Sequence, residues 1–173
     1  MDTTTHKELV QVAVSWLRNI MRCGVVFKEF KTAISEIPDA FGLKSDYSIL
    51  IECKASRADF LSDRSKVFRQ LPDRGVGDFR LYLCNTGIIK PEDLPDKWGL
   101  LYYDQIRNKV DRIKTPKGNA WLHSGELFRF DKNKRAEYRY MYSALRRIVI
   151  HGDLDLIYEP IDIRKVYEAN GRV

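Results

Sequence analysis

IPDAFGLKSDYSILIECK, residues 37–54, is the stretch on which the reading of this chain turns. It sets Pro38-Asp39 ahead of an apolar, β-prone run that closes on Glu52-Cys53-Lys54. Side chains alternate faces along a strand, so Glu52 and Lys54 project one way, and Ile51 and Cys53 the other. Ile49, Leu50 and Ile51 form an unbroken apolar run, the pattern of a strand covered on both sides. A glutamate and a lysine closing such a strand call for a chemical reason. Between the two acids, Gly42, Lys44, Ser45 and Asp46 supply turn chemistry, so the chain folds back and brings Asp39 beside Glu52. A shifted register would instead make Asp46 the partner acid.

Two carboxylates held side by side repel, and they stay ionised most easily around a cation. Oxygen-only ligands suit Mg²⁺ or Mn²⁺, which keep some waters and accept phosphate oxygens. Lys54 would then reach a metal-bound water, to orient or help deprotonate it and to stabilise charge on a phosphate. Glu36 lies three positions before Asp39, on the opposite face of a regular strand, and reaches the metal only through a bulge or bend. A buried ion pair between Glu52 and Lys54 is the competing structural reading.

At these residues the chain resembles the PD-(D/E)XK nuclease superfamily, the restriction-endonuclease-like fold, with the motif reading Pro38-Asp39 and then Glu52-x-Lys54. The likeness continues through SRADFLSDRSKVFRQL (56–71) and GIIKPEDLPDKWGLLYYD (87–104), which are similar to MmcB-like DNA-repair proteins and their phage or prophage relatives. It covers roughly residues 7 to 104. The resemblance implies an αβββαβ core, catalysis by Asp39, Glu52 and Lys54, and a divalent ion held by Asp39, Glu52 and the backbone carbonyl of Cys53.

A chain of 173 residues with 44% hydrophobic content can bury a core as a single domain over 1–173. Cys23, Cys53 and Cys84 are widely spaced without a CxxC pair and read as reduced core thiols of a cytoplasmic protein. MDTTTHKE lacks an apolar signal core, and no run of about 18 apolar residues occurs, so neither secretion nor membrane insertion is expected. The formal charge of +6 suits a polyanionic partner, which the resemblance implies is DNA. The sequence leaves the oligomeric state open, a homodimer included.

Thr5 and Glu8 form a capping box before a helix expected over 6–22, ended by Gly24. Strands are expected at 25–30, 33–39 and 47–54, then a helix from Ser56 to about Gln70, and strands at 79–84 and 99–104. On that second helix, Arg57, Arg64, Lys66 and Arg69 are candidate DNA contacts, and Gln70 resembles weakly a downstream glutamine of some relatives. Asp59, Asp63 and Lys66 pairing along a solvated face is the plainer alternative. A last helix over 133–150 should bury Tyr138, Met141, Tyr142, Leu145, Ile148 and Val149. Arg135, Arg139 and Arg146 flank that stripe as candidate phosphate contacts. Residues 153–173 receive no role.

His6, His123 and His151 lack metal-ligand spacing, and His6 reads as a polar first-turn residue. No phosphate-binding glycine loop or nucleophile elbow occurs. The expectation is therefore a Mg²⁺- or Mn²⁺-dependent deoxyribonuclease of DNA repair or of phage and mobile-element DNA metabolism. The alternatives are a nucleic-acid-binding module that keeps the fold without cutting, and a protein-binding adaptor.

Overall fold

The computed structural model describes residues 4–123, 127–152, 157–160 and 162. Six strands form one sheet in chain order: β1 (Val25–Lys28), β2 (Ala40–Leu43), β3 (Ser48–Lys54), β4 (Phe79–Asn85), β5 (Gly99–Asp104) and β6 (Lys109–Lys114). β1 to β3 meander antiparallel, β3 to β5 run parallel, and β6 returns antiparallel. The helices are α1 (His6–Asn19), α2 (Arg57–Asp63), α3 (Val67–Gln70), α4 (Ala120–His123) and α5 (Lys134–His151). This is the expected mixed α/β architecture, with helix, three strands, helix and strand in order through β4 and a C-terminal helix.

Thr5 opens α1 through a complete capping box: its hydroxyl accepts from the Glu8 N–H, and the Glu8 carboxylate accepts from the Thr5 N–H. Leu9, Val10, Ala13, Trp16 and Leu17 recur at helical spacing and bury α1 on one face of the sheet. Every residue of β3 is buried. Ile49, Ile51 and Cys53 join the core under α1, whereas Leu50 packs on the other face with Phe60, Tyr82 and Trp98. Each fully buried isoleucine or leucine contributes about 1.5–3 kcal/mol relative to exposure, which fixes the strand's register and, with it, the positions of Glu52 and Lys54. The three cysteines are free and buried, as expected.

Several boundaries differ from expectation. Residues 33–39 form no strand; β2 begins at Ala40, one residue after Asp39. Pro38 has no N–H for a ladder, which excludes it from the interior of a sheet. Gly42 is not a turn residue but the centre of β2, where a Cβ would lie 2.7 Å from Cys23 Sγ and 3.1 Å from Leu17 Cδ2. Glycine there lets α1 lie close against the strand. The turn itself spans Lys44 to Tyr47, closed by the Lys44 N–H on the Tyr47 carbonyl at 2.9 Å.

The expected helix over 56–70 is broken. The Ser56 side chain caps α2 by accepting from the Asp59 N–H, but Lys66 adopts an extended conformation between α2 and α3. The Ser62 and Ser65 hydroxyls donate to the Asp59 and Ser62 carbonyls at 2.8 Å each, a local competition that favours ending a helix. β6, at the sheet edge, lies beyond the strands expected from the sequence.

The largest correction concerns α5. The stripe expected to be buried is exposed: Tyr138, Met141, Tyr142, Leu145, Ile148 and Val149 all face outward. The buried residues of α5 are Glu137 and Tyr140. Tyr140 packs edge-on against Phe27, Phe30 and Phe41. Glu137 accepts from the Gly77 N–H and the Ser48 hydroxyl at 2.8 and 2.7 Å, and pairs with Lys132 at 2.6 Å. The N-terminal half of α5 thus docks through a polar anchor and one aromatic ring. Among the described residues no helix is long and apolar enough to cross a membrane.

Candidate active site

The register of the antiparallel meander assembles the site. β1 pairs Lys28 with Ala40, and β2 pairs Ala40 with Ile51. One position further out, the same register sets Glu29 opposite Asp39 and Asp39 opposite Glu52. The Glu29 N–H indeed donates to the Asp39 carbonyl at 3.1 Å. The Asp39 carboxylate accepts from the Cys53 N–H at 2.7 Å, which ties it to the strand between Glu52 and Lys54. Burial, then the Glu52 charge, push the Asp39 carboxyl up to about 6 despite the lowering influence of the Cys53 N–H, His6 and Lys54.

Glu52 and Lys54 project from one face of β3 into a buried ion network. Glu52 Oε2 lies 3.2 Å from Arg69, 3.5 Å from Lys66 and 3.6 Å from Lys54. Asp63 is the second hub: it lies 3.1 Å from Lys54, 2.7 Å from Lys66 and 2.6 Å from Arg69, and it accepts from the Tyr82 hydroxyl at 2.8 Å. Burial alone would raise the Asp63 carboxyl. Arg69, the Lys66 hydrogen bond and Lys54 outweigh it and hold that carboxyl well below the usual range. The Arg69 guanidinium also stacks 4.4 Å from the centroid of Trp98.

Glu36 reaches this region without a strand to carry it. It is buried, accepts from the Val76 N–H at 2.7 Å, and lies 3.6 Å from Arg69. Burial raises its carboxyl, offset in part by the Val76 N–H, Arg80 and Arg69. Glu36 and Glu52 line a common cleft of about 220 Å³ together with Lys66 and Arg69.

The expected DNA contacts separate into distinct settings. Arg69 is 3% exposed and belongs to the ion network rather than to an outer surface. Lys66 is half exposed at the cleft mouth. Arg57 makes a bidentate pair with Asp93, and Arg64 donates to the Asp93 carbonyl at 3.3 Å. Arg135 and Arg139 line a neighbouring cavity, and Arg146 is exposed further along α5. Gln70 is the exposed last residue of α3. Asp46 accepts from the Ser45 hydroxyl in the turn at the other end of β3, so it is not the partner acid.

Three residues enter the site that the spacing argument passed over. The plainer alternative for the helix expected over 56–70 places Asp63 on a solvated face, yet it is 1% exposed. Its signal was the position three after Phe60, whose buried ring carries that face of α2 inward. His6 lies 3.4 Å from Asp39, and Glu29 follows β1 with a left-handed φ of 43°. One ligand atom each from His6, Glu29 and Asp39 lie within 4.8 Å of one another, close enough to share a divalent ion. The signal for Glu29 was its place at the end of the strand expected over 25–30.

The donor chemistry fits a divalent cation. Glu36, Glu52, Asp59 and Asp63 face Lys54, Lys66 and Arg69, with the Arg80 charge also acting on Glu36. Asp39 and Glu29 add acid outside that network, beside His6, at the point where the Asp39 carboxyl is raised by its surroundings.

Neither a protein-family model nor a curated protein matches this chain. Among solved structures, it is similar to the SPO1766 protein of unknown function from Silicibacter pomeroyi, with 22% sequence identity. That match covers 87% of this chain and 94% of the other, with a TM-score of 0.50. The likeness is one of fold.

Proposed function

We propose that the chain is a metal-dependent nuclease that hydrolyses phosphodiester bonds in DNA, in keeping with its resemblance to PD-(D/E)XK nucleases of DNA repair and phage or mobile-element DNA metabolism. The observation that carries the reading is the Asp39 carboxylate hydrogen-bonded to the Cys53 N–H, which holds it beside Glu52 and Lys54 at the end of β3. Asp39, Glu52 and the Cys53 carbonyl would hold Mg²⁺ or Mn²⁺, with Glu36 at the edge of the same cleft and His6 and Glu29 flanking Asp39. When bound, such an ion supplies Lewis-acid stabilisation of phosphate charge and an acidified water. The Lys54 ammonium, held 3.6 Å from Glu52, donates to the attacking water or to a phosphate oxygen. The buried walls formed by Phe60, Tyr82 and Trp98 keep water from the far side of the ion network and strengthen each charge interaction in it.

A rival reading draws on the same network. Glu52 already faces three cations, as it would in a nucleic-acid-binding module that does not cut. A panel of double-stranded, single-stranded and branched DNA, with RNA beside it, separates the two when incubated with Mg²⁺ or Mn²⁺. Cleavage should require the metal and fall by roughly 10² or more in Lys54→Ala, the scale of a positioned acid-base group. Calorimetric Mn²⁺ binding should disappear in Asp39→Ala. Retained binding of DNA with no cut in any form would replace the nuclease by the module.

A further inference from the structure

A second cavity, of about 350 Å³, adjoins the cleft at Glu52 and shares Ser35, Glu36 and Phe68 with it. Arg74, Arg135 and Arg139, all exposed residues, are among those that line it. Asn133, which caps α5 by accepting from the Ala136 N–H at 2.9 Å, also lines it, so the N-terminal end of an 18-residue helix adds its partial positive charge. Phe68 supplies a half-buried aromatic ring. On the inner side, Glu36 is 5% exposed, and its Oε1 makes no hydrogen bond, with Arg69 3.6 Å away. The Arg69 contact is longer than a hydrogen bond, so this oxygen keeps accepting capacity where it stands in the wall of a cavity.

These groups match the phosphate and the base of a nucleotide. Guanidinium groups and a helix N-terminus bind a phosphate through charge-assisted hydrogen bonds, an aromatic ring takes a base by stacking, and the Glu36 oxygen accepts from a base N–H. A volume of about 350 Å³ lies at the small end of the range for ligand sites. We infer that this cavity is a subsite for one nucleotide of the bound strand, seated next to the bond to be cut. The inference rests on the nuclease reading for its place beside a reacting phosphate. Arg146, further along the same helix, lies outside the cavity lining, which separates this subsite from a general basic flank.

The test is fluorescence anisotropy of a labelled DNA hexanucleotide in EDTA, so that nothing is cut. Three forms are compared: 5′-phosphorylated, 3′-phosphorylated and unphosphorylated. Arg135→Gln with Arg139→Gln should weaken binding at least about tenfold, and Phe68→Ala by a similar factor. Lys134→Gln, the same charge change one residue away but outside the lining, should change it less than about twofold. A loss confined to one phosphorylated form assigns the cavity to a terminal phosphate, and an equal loss in all three to an internal phosphodiester. Unchanged affinity in both the double variant and Phe68→Ala overturns the subsite, and so does a loss in Lys134→Gln equal to that of the double variant. If the double variant does not fold by circular dichroism, Arg74→Gln carries the same expectation and the same refutation. Since the assay needs neither metal nor cleavage, its failure leaves the nuclease reading intact. A protein that cuts nothing can still pass it.

Discussion

Asp63 and Leu145 stand on helices of this protein in opposite circumstances. Asp63 is a carboxylate at 1% exposure, enclosed by Lys54, Lys66, Arg69 and the Tyr82 hydroxyl. Leu145 is aliphatic and 51% exposed, within a stripe of six large apolar or aromatic side chains on α5 that share its exposure. Residue type predicts the reverse in both places. A charge goes inside where its partners surround it, because the fixed ammonium, guanidinium and hydroxyl groups replace water. A helical stripe is buried only where another surface meets it, and the periodicity that marks the stripe carries no information about that surface.

The comparison breaks most sharply at Asp63. Asp63→Ala leaves three cations facing an emptied centre and should cost about 3–5 kcal/mol, the scale for removing one partner of a buried pair. Urea unfolding measures it; a loss below about 1 kcal/mol would mean the network is hydrated rather than buried. The same residue sets an acid limb. Its folded carboxyl lies below the unfolded value, so its stabilisation is fully present above the unfolded value near 3.9 and is lost as pH falls from there towards the folded value. Asp63→Asn should flatten the fall in stability below about pH 4.

The second contrast lies within α5. Tyr140→Ala removes a ring that meets Phe27, Phe30 and Phe41 and should cost about 3–5 kcal/mol, as for other large core aromatics. The smallest effects are expected on the exposed stripe of the same helix. Met141→Gln and Leu145→Gln should each stay within about 0.5 kcal/mol, as surface substitutions do. If thermal unfolding of the Leu145 variant drops as far as that of the Tyr140 variant, the stripe is covered in solution.

Much of the geometry around Asp39 and Glu52 was legible in residues 37–54. The apolar run of β3 predicted burial on both faces, and β3 has it. The fold-back that was to bring Asp39 beside Glu52 is present, although its agent is different. Gly42 looked like a turn residue, and it is a close-approach position beneath Cys23 and Leu17. Glycine's two uses cannot be told apart in a sequence, because one concerns the backbone angle and the other a distant neighbour. Arg69 illustrates the same limit: in sequence it is one basic residue among several, whereas in the fold it is buried against Trp98 and three carboxylates.

What the sequence by itself determined is local: the capping box of α1, the two-sided burial of β3, and the placement of Glu52 and Lys54 on one face. Those follow from hydrogen-bond geometry and side-chain periodicity over a few residues. Only the tertiary structure decided that Glu29, just past β1, and Asp39, just before β2, meet beside the end of β3 that carries Glu52, that Asp63 lies inside, and that the stripe of α5 lies outside. Each of these depends on register or on contact between segments far apart in the chain, where a single position of slip turns a side chain to the opposite face.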